Sequence, residues 1–120
     1  MIRLIQRRLI IPRGDTGSFF IPSLPSAKEG DIAIFSIYDA LTRTTIFEKS
    51  IPVTADKLEI SLTHEETVKL KPNKYLWDIK IYNEPVYDED GILVGGTKID
   101  SYYAAFSLPV CEIREVAQDV

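Results

Sequence analysis

Strand-like alternation of apolar and polar positions runs along most of the chain. Arg3 to Ile11 mixes Leu4, Leu9, Ile10 and Ile11 with arginines and reads as one strand, ended by Pro12, which cannot donate to a ladder. Arg13-Gly14-Asp15-Thr16-Gly17 is turn chemistry, and Ser18 to Ile21 reads as a short second strand. Asp31 to Asp39 (DIAIFSIYD) is the clearest core strand, with Ala33, Phe35 and Ile37 on one face and Ile32, Ile34 and Tyr38 on the other. Apolar residues on both faces imply a central strand, or one covered by a neighbouring chain. Thr44 to Pro52 returns as a hairpin partner, and Lys57 to Thr63 alternates cleanly with Leu58, Ile60 and Leu62 inward. His64 to Leu70 breaks the alternation. Thr63 followed by Glu66 has capping-box spacing, which predicts one helical turn.

Tyr75 to Asn83 is the next strand, with Tyr75, Trp77, Ile79 and Ile81 on one face. Residues 84–96 read as a hairpin arm with Asp88-Glu89-Asp90-Gly91 at its tip and a bulge at Gly95-Gly96. Thr97 to Val110 reads as the last strand, and 111–120 as an acidic tail or short helix. Seven or eight short strands, with turn signals every eight to twelve residues, predict an all-β antiparallel sandwich in a single domain spanning 1–120.

Composition narrows the chemistry. The 120 residues include one cysteine, Cys111, and one histidine, His64, so there is no intrachain disulfide and no cysteine- or histidine-rich metal centre. The formal charge of −4 disfavours general nucleic-acid binding, which depends on neutralising phosphates. The charge is uneven: residues 1–60 carry 8 basic and 7 acidic groups, residues 61–120 carry 6 and 11. Four arginines (Arg3, Arg7, Arg8, Arg13) fall before the first acid. That asymmetry suits head-to-tail packing between copies as well as ordinary solvated strand faces. Apolar runs fall far below the roughly 18 residues of a membrane span. Arg7 and Arg8 interrupt any signal-peptide core, so a cytoplasmic site of synthesis is expected.

One stretch carries a resemblance. Leu62-Thr63-His64-Glu65-Glu66-Thr67, followed by Leu70-Lys71-Pro72-Asn73-Lys74-Tyr75-Leu76-Trp77-Asp78-Ile79, has the form strand, T-x-E-E-T, L-x-P-G-x-Y-x-(Tyr/Trp)-D-I, strand. It resembles the immunoglobulin-like β-sandwich modules of bacteriophage tail and baseplate proteins, of the baseplate upper protein N-terminal type. Gly30-Asp31-Ile32 and Phe35-Ser36-Ile37-Tyr38-Asp39 are similar to the first core strand of those modules, and the likeness covers roughly residues 10–110. Asn73 stands where the family often has glycine, and asparagine tolerates the same backbone. The same stretch has a direct physical reading. A helical turn crosses between sheets, Tyr75 returns its hydroxyl to a backbone group as in a tyrosine corner, and Trp77 fills the space between the sheets; Phe35 is a further expected structural residue.

No enzyme motif stands out. His64 and Cys111 are the sole candidate nucleophile pair, one in a solvated turn and the other after a proline. Asp88 and Asp90, with Asp100, give a weak calcium candidate, but only D-x-D-G of the loop pattern is present. Arg13-Gly14-Asp15 spells an adhesion tripeptide within turn chemistry. The acids fall in turns and on outward strand positions, leaving no glycosidase pair. No G-x-S-x-G, Walker or dinucleotide glycine motif occurs. Tyr82, Tyr87, Tyr102, Tyr103 and Phe106 form an aromatic group in which the adjacent Tyr102 and Tyr103 point to opposite faces.

The expected role is therefore a non-enzymatic structural component of a phage or prophage virion, without cofactor. It would be assembled in the bacterial cytoplasm and dock to itself or to other virion proteins. Arg7, Arg8, Tyr87, Tyr102 and Tyr103 are the expected interface residues. The alternative is a carbohydrate-binding module recognising a cell-surface glycan through an aromatic platform.

Overall fold

The computed structural model describes residues 1–22, 28–54, 57–101 and 108–115. Among these the chain forms nine strands and one helical turn: β1 (Arg3–Ile5), β2 (Arg8–Pro12), β3 (Gly17–Pro22), β4 (Ile32–Tyr38), β5 (Thr45–Pro52), β6 (Lys57–Leu62), α1 (His64–Thr67), β7 (Asn73–Tyr87), β8 (Leu93–Ser101) and β9 (Val110–Arg114). Seven strands make one sheet in the order β1-β2-β9-β7-β4-β5, with β8 also on β7. The second sheet is the pair β3-β6. All pairings are antiparallel except β2 with β9, where Leu9 lies opposite Cys111 and Ile11 opposite Ile113.

The core lies where the two sheets face each other. The large sheet contributes Ala33, Phe35 and Ile37 from β4 and Trp77, Ile79 and Ile81 from β7. The small sheet answers with Phe19, Ile21, Leu58, Ile60 and Leu62. Trp77 is fully buried and meets Phe19 and Phe35 edge-on, each at 6.0 Å between ring centroids. Burying an indole of about 200 Å² contributes at most roughly 5 kcal/mol at about 25 cal/mol per Å². Its Nε1 donates to the Arg7 carbonyl (3.1 Å), so the ring also pins the β1–β2 turn.

All seven residues of β4 are buried. The strand is central, flanked by β5 and β7, and its outward residues are covered by their neighbours in register. Ile34 lies between Ser50 and Lys80. The Lys80 ammonium donates to the Tyr38 hydroxyl (2.8 Å). Asp31, just before β4, is buried but satisfied: its carboxylate accepts from the Lys28 backbone N–H (2.9 Å) and from the Asn83 amide (2.8 Å).

α1 forms as the spacing requires. The Thr63 hydroxyl accepts from the Glu66 N–H, and the Glu66 carboxylate accepts from the Thr63 N–H, closing both halves of the capping box. Glu66 also accepts from Lys49 of β5 (2.9 Å), which donates to the Ser61 carbonyl of β6 and so bridges the sheets. Burial raises the Glu66 pKa, but the Lys49 and Thr63 contacts outweigh it and the net shift is downward. Past α1, the Tyr75 hydroxyl donates to the Lys71 carbonyl at 2.7 Å.

Three expectations need correction. The segment 1–12 is not one strand: it turns at Gln6-Arg7 into the β1–β2 hairpin. A two-residue hairpin loop requires positive φ, and Gln6 adopts φ 58° without the glycine or asparagine that usually signals it. The proposed tail 111–120 begins instead as strand β9, and Glu112 and Arg114 are held in the sheet; 116–120 lie outside the described residues. The strand Thr97 to Val110 is likewise two, β8 and β9, and residues 102–107 between them lie outside the described residues.

Candidate interaction surfaces

Two surfaces stand out, at different places on the large sheet. The first is a basic groove of about 490 Å³ beside the β1–β2 turn, lined by Ile5, Arg7, Arg8, Lys74, Pro109 and Val110 among others. The pairing of β2 with β9 and of β9 with β7 brings these residues together. Arg8 bonds to Glu112 across that pairing, and Arg114 donates to the other oxygen of the same carboxylate (2.7 Å). The two guanidinium hydrogen bonds, Arg114 first, hold the Glu112 carboxyl down at about 2. A single acid thus sits between two arginines, and Lys74 forms no ion pair among the described residues. The charged side chains lining the groove, Arg7, Arg8 and Lys74, are all basic.

The second surface is the β7–β8 arm. Register shifts after Asn83 and Val86 and a positive φ at Glu84 (50°) bend it. Gly96 allows the bend: at φ 129°, a Cβ there would come within 3.2 Å of the Asn83 and Glu84 carbonyl oxygens. The tip is ordered by Asp88, whose carboxylate accepts from the N–H groups of Asp90 and Ile92, each at 2.9 Å. Val86, Tyr87, Ile92 and Val94 are exposed along the arm. Between the arm and the outer sheet face lies a cleft of about 340 Å³ lined by Ile34, Glu48, Ser50, Lys80, Tyr82 and Ile92.

The expected interface residues therefore separate. Arg7 and Arg8 belong to the basic groove and Tyr87 to the arm, whereas Tyr102 and Tyr103 lie outside the described residues. Tyr75, Trp77 and Phe35 are buried in the core or at its rim. Lys74, Glu112 and Arg114 were not anticipated. Their signal was faint: Cys111 and Ile113 alternate with Glu112 and Arg114, which is strand patterning, but it is too short to stand out beside an acidic end.

The remaining candidates have structural occupations. Cys111 is fully buried against β2, and burial drives its thiol pKa strongly upward, while His64 is exposed on α1 and donates from Nδ1 to the Gly14 carbonyl (2.5 Å). The two are not brought together as a nucleophile and base. Arg13-Gly14-Asp15 is not a protruding loop but a turn latched to α1. Arg13 Nε donates to the Val68 carbonyl (2.9 Å), and the buried Thr67 hydroxyl donates to the Asp15 carbonyl (2.7 Å). Asp88 Oδ1 orders the tip's own backbone by accepting from Asp90 and Ile92. Among the described residues no three His, Cys, Asp or Glu side chains group together to hold a metal ion, and no helix is long and apolar enough to cross a membrane.

Fold and surfaces together define an all-β protein of two facing sheets with a basic groove and a projecting arm. No protein-family model, curated protein or solved structure matches the chain.

Proposed function

We propose that this chain is a non-enzymatic structural component of a phage or prophage virion, an immunoglobulin-like module of a tail, baseplate or accessory protein. It docks to other virion proteins and to itself, and is assembled in the bacterial cytoplasm. The observation that carries the reading is the segment 62–79. The capped turn, the Tyr75 hydroxyl on Lys71 and the buried Trp77 between the sheets occur together in the order that the resemblance implies. The two facing sheets, almost wholly antiparallel, are compatible with the same reading. Sandwiches of this kind host many functions, so the test must be made on particles. Particles purified from the source cells after prophage induction are analysed by quantitative mass spectrometry. The chain at fixed copy number relative to tail proteins is the expected result, and its absence from intact particles refutes the reading.

The cleft beneath the arm favours one second reading, glycan recognition. It sets the half-buried Tyr82 beside Glu48, Ser50 and Lys80, an aromatic face among polar groups. Binding on a glycan array that is lost in Tyr82→Ala would move the assignment to that class.

A further inference from the structure

The arm and the basic groove are complementary. The arm tip carries Asp88, Glu89 and Asp90 in succession, all exposed, and none forms an ion pair among the described residues. Beside them Tyr87 and Ile92 stand 46% and 60% exposed. The groove offers the opposite charge in Arg7 and Lys74, flanked by Ile5 and Val110, 49% and 37% exposed. Each surface pairs a block of one charge with uncovered apolar side chains, the arrangement that interfaces use to fix register and exclude water.

A chain cannot satisfy this complementarity by itself. The arm overhangs β4 and β5, where its tip lines the cleft with Ile34, Glu48 and Ser50. The groove lies on β1, β2 and β9, and β9, β7 and β4 separate β2 from β5. At about 4.8 Å per strand that is about 19 Å across the sheet. The groove and the cleft share no lining residue.

We propose that the arm tip of one copy, through Tyr87, Glu89, Asp90 and Ile92, docks in the basic groove of a second copy, through Arg7, Lys74, Ile5 and Val110. The proposal rests on the self-association part of the reading above and specifies its contact. Because two different surfaces meet, the contact is heterologous: repeated, it closes into a ring or runs on as a filament. A single contact of this size falls well below the 20–30 residues a side of a standard interface, so it is weak in isolation and strengthens on closure.

Sedimentation velocity of the full chain, over a range of concentrations at about 0.05 M and about 0.5 M salt, tests it. The wild type is expected to show mass rising with concentration at low salt, with the association weakened about tenfold or more at high salt, as for charge-steered contacts. Lys74→Glu and Glu89→Lys each weaken association about tenfold, and the chain carrying both recovers most of the loss, because the charges are exchanged across the same contact. Far-UV circular dichroism and Trp77 emission confirm that the variants are folded. A wild type that stays monomeric throughout, single reversals without effect, or a double variant no better than the singles each overturns the proposal. The particle composition measured above decides the virion reading separately, so a monomer in solution that is present in particles refutes this contact alone.

Discussion

Three hydrogen bonds hold the turn between β2 and β3 to α1 and the residue after it, and the one from a fully buried side chain comes from Thr67. Thr67 is fully buried and its Oγ1 donates to the Asp15 carbonyl at 2.7 Å, with a longer contact of 3.4 Å to His64 O within the turn. Thr67→Val keeps the shape and removes the donor. The net loss of the hydrogen bond is about 1 kcal/mol, and a carbonyl left partly buried without its partner adds about 1 kcal/mol more. The extra methyl of valine offsets only part of this, so destabilisation of about 1–2 kcal/mol is expected. Thr67→Ser is the control: it keeps the donor and loses one methyl, at about 1 kcal/mol. With about 4 °C of midpoint shift per kcal/mol for a chain of this size, Thr67→Val should melt roughly 4–8 °C lower. Urea titration followed by emission of the one tryptophan, Trp77, reads the same difference at 25 °C. If Thr67→Val matches the wild type while Thr67→Ser is weakened, methyl packing rather than the hydroxyl holds the latch, and the reasoning fails.

Tyr75→Phe removes the hydroxyl that donates to Lys71 O and should cost about 1 kcal/mol, checked by the same urea titration; an unchanged midpoint would show that the corner bond adds nothing net. Glu112 has its folded pKa lowered from 4.5 to about 2, so its contribution is full above pH 4.5 and is lost as pH falls from there toward 2. The arginines are about half exposed and screened, which reduces the effect to on the order of 1 kcal/mol. In Glu112→Gln that component of the acid-induced loss should be missing from a melting series between pH 2 and 6. Buried Cys111 should react with a thiol reagent only as fast as the fold opens, so added urea should accelerate labelling in step with unfolding; fast labelling of the native protein would contradict its burial.

What could be read from the sequence was local. Thr63 and Glu66 sit three apart and cap each other, so α1 follows from spacing alone. Leu58, Ile60 and Leu62 alternate with polar residues because one face of β6 meets the core and the other meets water. The β1–β2 hairpin was hidden because Gln6 takes a positive φ that its side chain does not advertise. There the turn also takes a hydrogen bond from Trp77, which reaches the Arg7 carbonyl from 70 residues away. The surfaces were harder still. Arg7 and Arg8 were visible as charges, but the groove needs Lys74 and Val110, and nothing local shows that β9 brings these strands together. The arm was legible from its acids and glycines; its overhang depends on bends at Glu84 and Gly96, which only the register reveals.

The parallel pairing of β2 with β9 also bears on how the chain is made. Arg8 and Glu112, joined across that pair, are 104 residues apart. A ribosome adding about 5–20 residues per second delivers the second roughly 5–20 s after the first. Through that interval the apolar face of β2, with Leu9 and Ile11, has no sheet partner beyond the short strand β1. The first strands of the large sheet are thus among the last to be secured, and loop closure over such a span is slow. Nascent chains stalled before Cys111 should therefore expose a sticky N-terminal hairpin to chaperones, and release of the last strand should end that exposure.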